Sequence, residues 1–133
     1  MRAVKARTTA AFNLGATMPV IDNSGARMAR IVSVKKGKSK KGKQNYAKIG
    51  DLVNVAVKKG KPETKGNVFP AVIVRQKKSY KRRTGERVAF EDNAVVLLKD
   101  EKGNPKGTQI KGPIAREIME RWPQVAKIAS IVY

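Results

Sequence analysis

The chain has 133 residues, 41% of them hydrophobic, and carries 30 Lys and Arg against 10 Asp and Glu, a formal charge of +20 with no His and no Cys. That length suits one domain able to bury a core, and the missing His and Cys exclude the usual structural zinc sites, thiol chemistry and histidine acid–base catalysis. So large an excess of one sign repels itself in a compact fold, and a surface of balanced ion pairs would need matching acids, so a polyanionic partner is expected.

Residues 1–17 read as a basic arm of small residues, with Arg2, Lys5 and Arg7, that a partner would order. Thr and Asn interrupt its apolar part, which makes it a poor signal peptide. No apolar run approaches the ~20 residues of a membrane span, so an intracellular chain with no membrane partner is expected. Residues 18–133 read as a single domain. Met18–Ile21 predicts a short strand, Asp22-Asn23-Ser24-Gly25 a hairpin turn, and Arg27–Val34 the returning strand. Lys35 to Lys43 holds six lysines (Lys35, Lys36, Lys38, Lys40, Lys41, Lys43) among Gly37, Ser39 and Gly42, and predicts a flexible loop. Gly37-Lys38-Ser39 matches the tail of a phosphate-binding P-loop. The Gly required five positions earlier is Val32, and no helical pattern follows, so that reading is set aside.

Leu52–Val57 places Val53, Val55 and Val57 on one face of a strand. Lys58–Gly66 follows as a further basic loop with Lys58, Lys59 and Lys61, and Pro62 and Gly66 oppose regular structure there. The stretch from Val68 to Leu98 organises the rest. Apolar runs at Ala71–Val74, Val88–Phe90 and Ala94–Leu98 flank a segment, Arg75 to Arg87, that carries seven Lys or Arg: Arg75, Lys77, Lys78, Lys81, Arg82, Arg83 and Arg87. With Thr84-Gly85 as the turn and Tyr80 as its one aromatic, this predicts a two-stranded basic ribbon suited to a phosphate backbone. Asp100 to Gly107 is a polar turn. Gly112-Pro113 then predicts the start of a helix with Ile114, Ala115, Ile118 and Met119 on its apolar face. Pro123 ends that helix or opens a second one over Gln124–Ser130. This cap, about residues 112–130, is expected to plug one end of the β-structure with Trp122 inside the plug. The expected fold class is mainly β: a small five-stranded, OB-like closed barrel with a projecting basic β-ribbon and a short C-terminal helical region.

Several pieces of this sequence match a known family in one order: Asp22-Asn23-Ser24-Gly25-Ala26, Gly50-Asp51, Val57-Lys58-Lys59, Ala71-Val72-Ile73-Val74-Arg75, Phe90-Glu91-Asp92-Asn93-Ala94, Gly107-Thr108, Gly112-Pro113-Ile114 and Arg116-Glu117. On these residues 18–133 resemble the universal large-subunit ribosomal protein number fourteen. The family's signature joins the Ala71–Val74 strand to Gly85, Phe90 and Asn93, and departs here at Thr84, where Asp, Asn or Ser is preferred. The N-terminal arm, Glu120-Arg121-Trp122-Pro123 and Ile128–Ile131 look like the archaeal and eukaryotic branch. The resemblance implies a structural role in the cytoplasmic ribosome, bound to large-subunit ribosomal RNA at the subunit interface. It also implies contact with the neighbouring large-subunit protein number three and a bridge to small-subunit ribosomal RNA. Anti-association initiation factors would dock on the C-terminal region, where Thr108, Gln109, Lys127 and Ser130 are the matching positions.

Three function classes compete for these residues. Lys and Arg on loops and ribbon suit a structural ribosomal RNA binder that recognises shape through phosphates. A free, sequence-tolerant nucleic-acid binder is the alternative, but such proteins line a groove with stacking aromatics. Here Phe12, Tyr46, Phe69, Tyr80, Phe90, Trp122 and Tyr133 are scattered. An enzyme would need paired carboxylates for a metal. The adjacent pairs Glu91-Asp92 and Asp100-Glu101 fall in turns, so no catalytic residue, metal or cofactor is expected.

Overall fold

The computed structural model describes residues 10–35 and 46–133. The arm cations Arg2, Lys5 and Arg7, and Lys36, Lys38, Lys40, Lys41 and Lys43 of the first charge run, lie outside the described residues, as does Gly37-Lys38-Ser39.

Five strands form one antiparallel sheet in the order β1 (Thr17–Pro19), β2 (Ala26–Val34), β3 (Leu52–Gly60), β4 (Val68–Arg75) and β7 (Ala94–Leu97). Between β4 and β7 the chain leaves the sheet as a short hairpin, β5 (Tyr80–Lys81) with β6 (Arg87–Val88). The apolar runs are continuous along β4 and β7 because both faces of those strands are covered. Ala71, Ile73, Val95 and Leu97 join one buried cluster with Met18, Ala29, Ile31, Val53, Val55 and Val57. Val72, Val74, Ala94, Val96 and Leu98 alternate with them and join a second cluster with Tyr80, Phe90, Ile114, Ile118 and Trp122. The period of two thus divides one sheet between two cores.

The closed barrel is corrected. The sheet is open, with β1 and β7 as its edges, and a single parallel bridge between Val20 and Val95 spans them. Asp22, two residues further along, turns its carboxylate onto the Leu97 N–H at 3.0 Å, and the Ser24 N–H and hydroxyl donate to its other oxygen. The chain therefore turns away into Asp22–Gly25 after one bridge instead of extending a ladder. Phe12 covers the first core at another end, paired with Ala47 through N–H to carbonyl bonds of 3.0 and 2.7 Å.

The C-terminal region also departs from the expected helix. Gly112-Pro113 lies inside a strand, β8 (Ile110–Ile114), and the helices are α1 (Glu117–Arg121) and α2 (Pro123–Lys127), with Pro123 at the start of α2 as its fixed φ favours. The tail Ala129–Val132 is β9, parallel to β8 with Ile110 opposite Ala129 and Ile114 opposite Val132. Trp122 is buried, and its Nε1 donates to the Gly50 carbonyl at 2.8 Å. Lys58 and Lys59 also move from loop to strand, because β3 runs on to Gly60 against the start of β2. Among the described residues no helix is long and apolar enough to cross a membrane.

Candidate nucleic-acid interface

The basic segment from Arg75 to Arg87 divides by side. In the β5–β6 ladder Tyr80 stands opposite Val88 and Lys81 opposite Arg87. The first pair is buried and the second exposed, as the alternation of strand side chains requires. The loop between them is Arg83-Thr84-Gly85, closed by Gly85 N–H to Arg82 O at 2.9 Å and Arg82 N–H to Glu86 O at 2.7 Å. Gly85 has φ of +96°, which any L side chain would resist and which a three-residue hairpin loop demands. Thr84, the departure from the family pattern, sits at an exposed loop position that accepts it.

Three residues placed with the RNA-contacting set on sequence grounds face inward. Tyr80 is fully buried, and its hydroxyl donates to Glu117 Oε2 at 3.0 Å. Arg82 donates through Nε to Glu117 Oε1 at 3.0 Å, with both side chains buried. Its guanidinium also lies 5.7 Å from the Tyr133 ring. Arg75 pairs with Asp92 at 3.0 Å and is largely buried. These three position the hairpin on the fold. The hairpin is rooted by them in the second core and is paired over two residues a side, so it is shorter than the projecting ribbon expected. Lys77, Lys78, Lys81, Arg83 and Arg87 remain exposed along it, and Lys58, Lys59 and Lys61 are exposed at the end of β3. Lys35 is exposed and pairs with Glu101 at 3.1 Å.

Burial dominates the electrostatics at the root. It pushes the Tyr80 phenol up to about 12, with the Glu117 charge adding to the rise and Arg82 opposing it. Burial alone would lower Arg82, but its bond to Tyr80 and the charge of Glu117 outweigh that and hold its pKa above the ordinary value. Burial likewise raises the Asp22 carboxyl, against the bonds from Ser24 and Leu97. A phenol held protonated in the fold, with a pKa of about 12 against 10 for the free group, contributes stability that is full below pH 10. That stability is lost as pH rises toward 12, by about 3 kcal/mol in all. Urea midpoints measured up this range are expected to fall more steeply for the native chain than for Tyr80→Phe, a comparison in which the lysines cancel. Parallel profiles would mean that Tyr80 ionises as freely in the fold as outside it.

The four positions that the resemblance implies for protein docking come together elsewhere. Asn23 Oδ1 accepts the Thr108 N–H at 2.7 Å and the Gln109 N–H at 3.2 Å, and its Nδ2 donates to the Thr108 hydroxyl at 2.7 Å. That loop leads into Ile110, whose strand partner Ala129 lies between Lys127 and Ser130. All four side chains are exposed. Sequence reasoning missed Asn23, Glu117 and Asp51 as anchors, because each acts on a residue distant in the chain. Asp51 accepts from Arg121 at 3.2 Å, which ties α1 to the start of β3.

Other chemistry finds little support. Among the described residues no group of three acids could hold a metal ion. Of the adjacent acid pairs, Asp92 is held by Arg75, Asp100 accepts from Asn104 and the Lys102 N–H at 3.0 Å each, and Glu101 pairs with Lys35. Of the aromatics, Phe12, Tyr80, Phe90 and Trp122 are buried, Phe69 is half-buried beneath Lys106 at 4.5 Å, Tyr133 is exposed and packs edge-on to Phe90, and Tyr46 is exposed.

The family described as ribosomal protein L14p/L23e matches residues 11–133. The large ribosomal subunit protein uL14 of Nanoarchaeum equitans is 51% identical over 132 residues, covering 99% of each chain. The proteins of the same name from Methanothrix thermoacetophila and Methanocella arvoryzae are 49% and 44% identical over the same length and coverage. A basic, mainly β chain agrees with those matches, and the chain belongs to the ribosomal protein L14p/L23e family in its archaeal type, a structural and non-enzymatic protein of the large subunit of the cytoplasmic ribosome.

Proposed function

We propose that the exposed cations of the hairpin and of the β3 end bind large-subunit ribosomal RNA, and that the Thr108–Gln109 loop with Lys127 and Ser130 forms a face for proteins. The observation that carries the first part is the sorting of charge. Asp51, Asp92 and Glu117 are engaged by Arg121, Arg75 and Arg82, while Lys81 and Arg87 stand directly opposite one another on the outer side of the hairpin. Like charges opposed across strands are unfavourable unless an anion lies over them. RNA phosphates supply that anion, and a rigid root fixes where the cations sit, so recognition is of shape.

The second face carries the finer partners. An anti-association initiation factor would dock on Thr108, Gln109, Lys127 and Ser130. A small-subunit ribosomal RNA bridge and the neighbouring large-subunit protein number three would use the surface around them. What supports this face is its geometry: the Asn23 bonds to Thr108 and Gln109 and the pairing of Ile110 with Ala129 bring the four exposed side chains into one region. Replacing Lys77, Lys78, Lys81, Arg83 and Arg87 together by Gln is expected to leave the fold intact and weaken RNA binding. The slope of log K against log salt should fall by about 0.7–0.9 for each phosphate that is no longer neutralised. An unchanged slope would refute the hairpin's role. A double variant, Lys127→Glu with Ser130→Arg, is expected to enter large subunits normally and bind the factor poorly. Failure to enter, with normal factor binding by those that do, would make this an assembly surface instead.

A further inference from the structure

Apart from the hairpin, four cations from three segments of the chain converge on a groove of about 680 Å³. Arg27 comes from β2, Lys59 and Lys61 from the end of β3, and Lys111 from β8. Two backbone bonds bring these segments together: Lys61 N–H to Gly25 O at 3.0 Å and Lys111 N–H to Ile21 O at 2.8 Å. All four side chains are exposed, and among the described residues none of them forms an ion pair. The one carboxylate lining the groove is Asp22, whose oxygens are turned onto Ser24 and the Leu97 N–H. The groove is also lined by the buried apolar residues Val20, Ile21, Ala26 and Ile110 and by the polar side chains of Asn23 and Gln109.

We infer that this groove holds one unstacked ribonucleotide of an RNA strand, with its phosphate among Arg27, Lys59, Lys61 and Lys111 and its base on the apolar floor. A plain phosphate clamp needs only the cations; a recess of this size with an apolar floor also suits a flat, weakly polar group. Base and phosphate together are the chemistry of a nucleotide, and single-stranded RNA is recognised through bases splayed out of the stack. The groove would pin one point of the RNA while the hairpin follows its backbone. The inference rests on the RNA-binding reading and adds Arg27 and Lys111 to it.

The test is NMR titration of the full-length chain at low salt with ribose 5-phosphate, adenosine 5′-monophosphate and an RNA trinucleotide, alongside an RNA fragment bound by the native chain. Amide shifts are expected at Arg27, Lys61 and Lys111. The mononucleotide should bind about tenfold more tightly than ribose 5-phosphate, the gain expected from burying roughly 60 Å² of base. The trinucleotide should bind more tightly still. Arg27→Ala with Lys111→Ala should weaken the mononucleotide about tenfold at an unchanged melting temperature, whereas Lys99→Ala with Lys102→Ala, at exposed positions outside groove and hairpin, should leave it unchanged. Equal affinity for ribose 5-phosphate and the mononucleotide would overturn the inference, as would a trinucleotide weaker than the free nucleotide or a hexaglutamate that competes as well. Absence of shifts in the groove while the RNA fragment still binds would overturn it and spare the RNA reading. No binding of the fragment by the native chain would overturn that reading instead.

Discussion

Glu117→Ala is expected to destabilise the fold by about 3–5 kcal/mol, the cost of leaving a buried charge without its partner. Arg82 has its Nε on Glu117 Oε1, and Tyr80 donates to the other oxygen, all inside the second core. Truncating the acid strands a buried guanidinium and a buried phenol at once, and on a chain of +20 it also removes one of few internal anions. Glu117→Gln keeps an acceptor and should cost less. Replacing Glu117, Arg82 and Tyr80 together by Leu, Met and Phe should recover most of the loss, since well-packed apolar residues often match a buried polar cluster and no phenol is then left unpaired. Urea unfolding gives all three values. A loss below about 1 kcal/mol for the Ala variant would mean that water reaches the pair and that the hairpin is not rooted by it.

Trp122→Ala is expected to cost about 3–5 kcal/mol, in the range for emptying a large aromatic site. The ring is nearly inaccessible, and its Nε1 satisfies the Gly50 carbonyl. Gly103 closes over it: a Cβ built there would stand 2.9 Å from the ring, on a backbone with φ of +106°. Gly103→Ala is therefore expected to destabilise as well, from strain and contact together. The chain has one Trp, so fluorescence follows unfolding at this site in Gly103→Ala, and far-ultraviolet circular dichroism in urea follows it in the variants that lack the indole. Trp122→Phe, which keeps most of the apolar surface but orphans the Gly50 carbonyl, should fall between native and Ala. A Phe variant as stable as the native chain would show that the indole bond contributes nothing.

How much of this could be read from the sequence depends on the range of the interaction. The strands at Leu52–Val57 and Ala71–Val74 follow from local β-branched runs, and Asp22–Gly25 from turn chemistry. The strand at Ile110–Ile114 was hidden by Gly112-Pro113, which locally favours a helix start. Its strand character comes from pairing with Ala129–Val132, which a local pattern cannot contain. The same pairing takes Ala129 and Ser130 out of the predicted second helix. The open sheet turns on Asp22, whose bond to Leu97 spans 75 residues. Within the candidate interface, charge density located the basic hairpin. It could not separate Lys81 from Arg82, because the burial of Arg82 depends on an acid 35 residues away. Strand alternation, applied once Tyr80 is taken as buried, gives Lys81 outward and so was available in principle.

The most direct measurement is lysine acetylation footprinting, comparing the free protein with the same protein in isolated large subunits. Lys59, Lys61, Lys77, Lys78 and Lys81 are expected to react readily when free and to be protected at least about tenfold in the subunit, where phosphates cover them. Lys127 is expected to stay reactive in subunits without a bound factor. Equal reactivity of the hairpin lysines in both states, with Lys127 protected instead, would contradict the account.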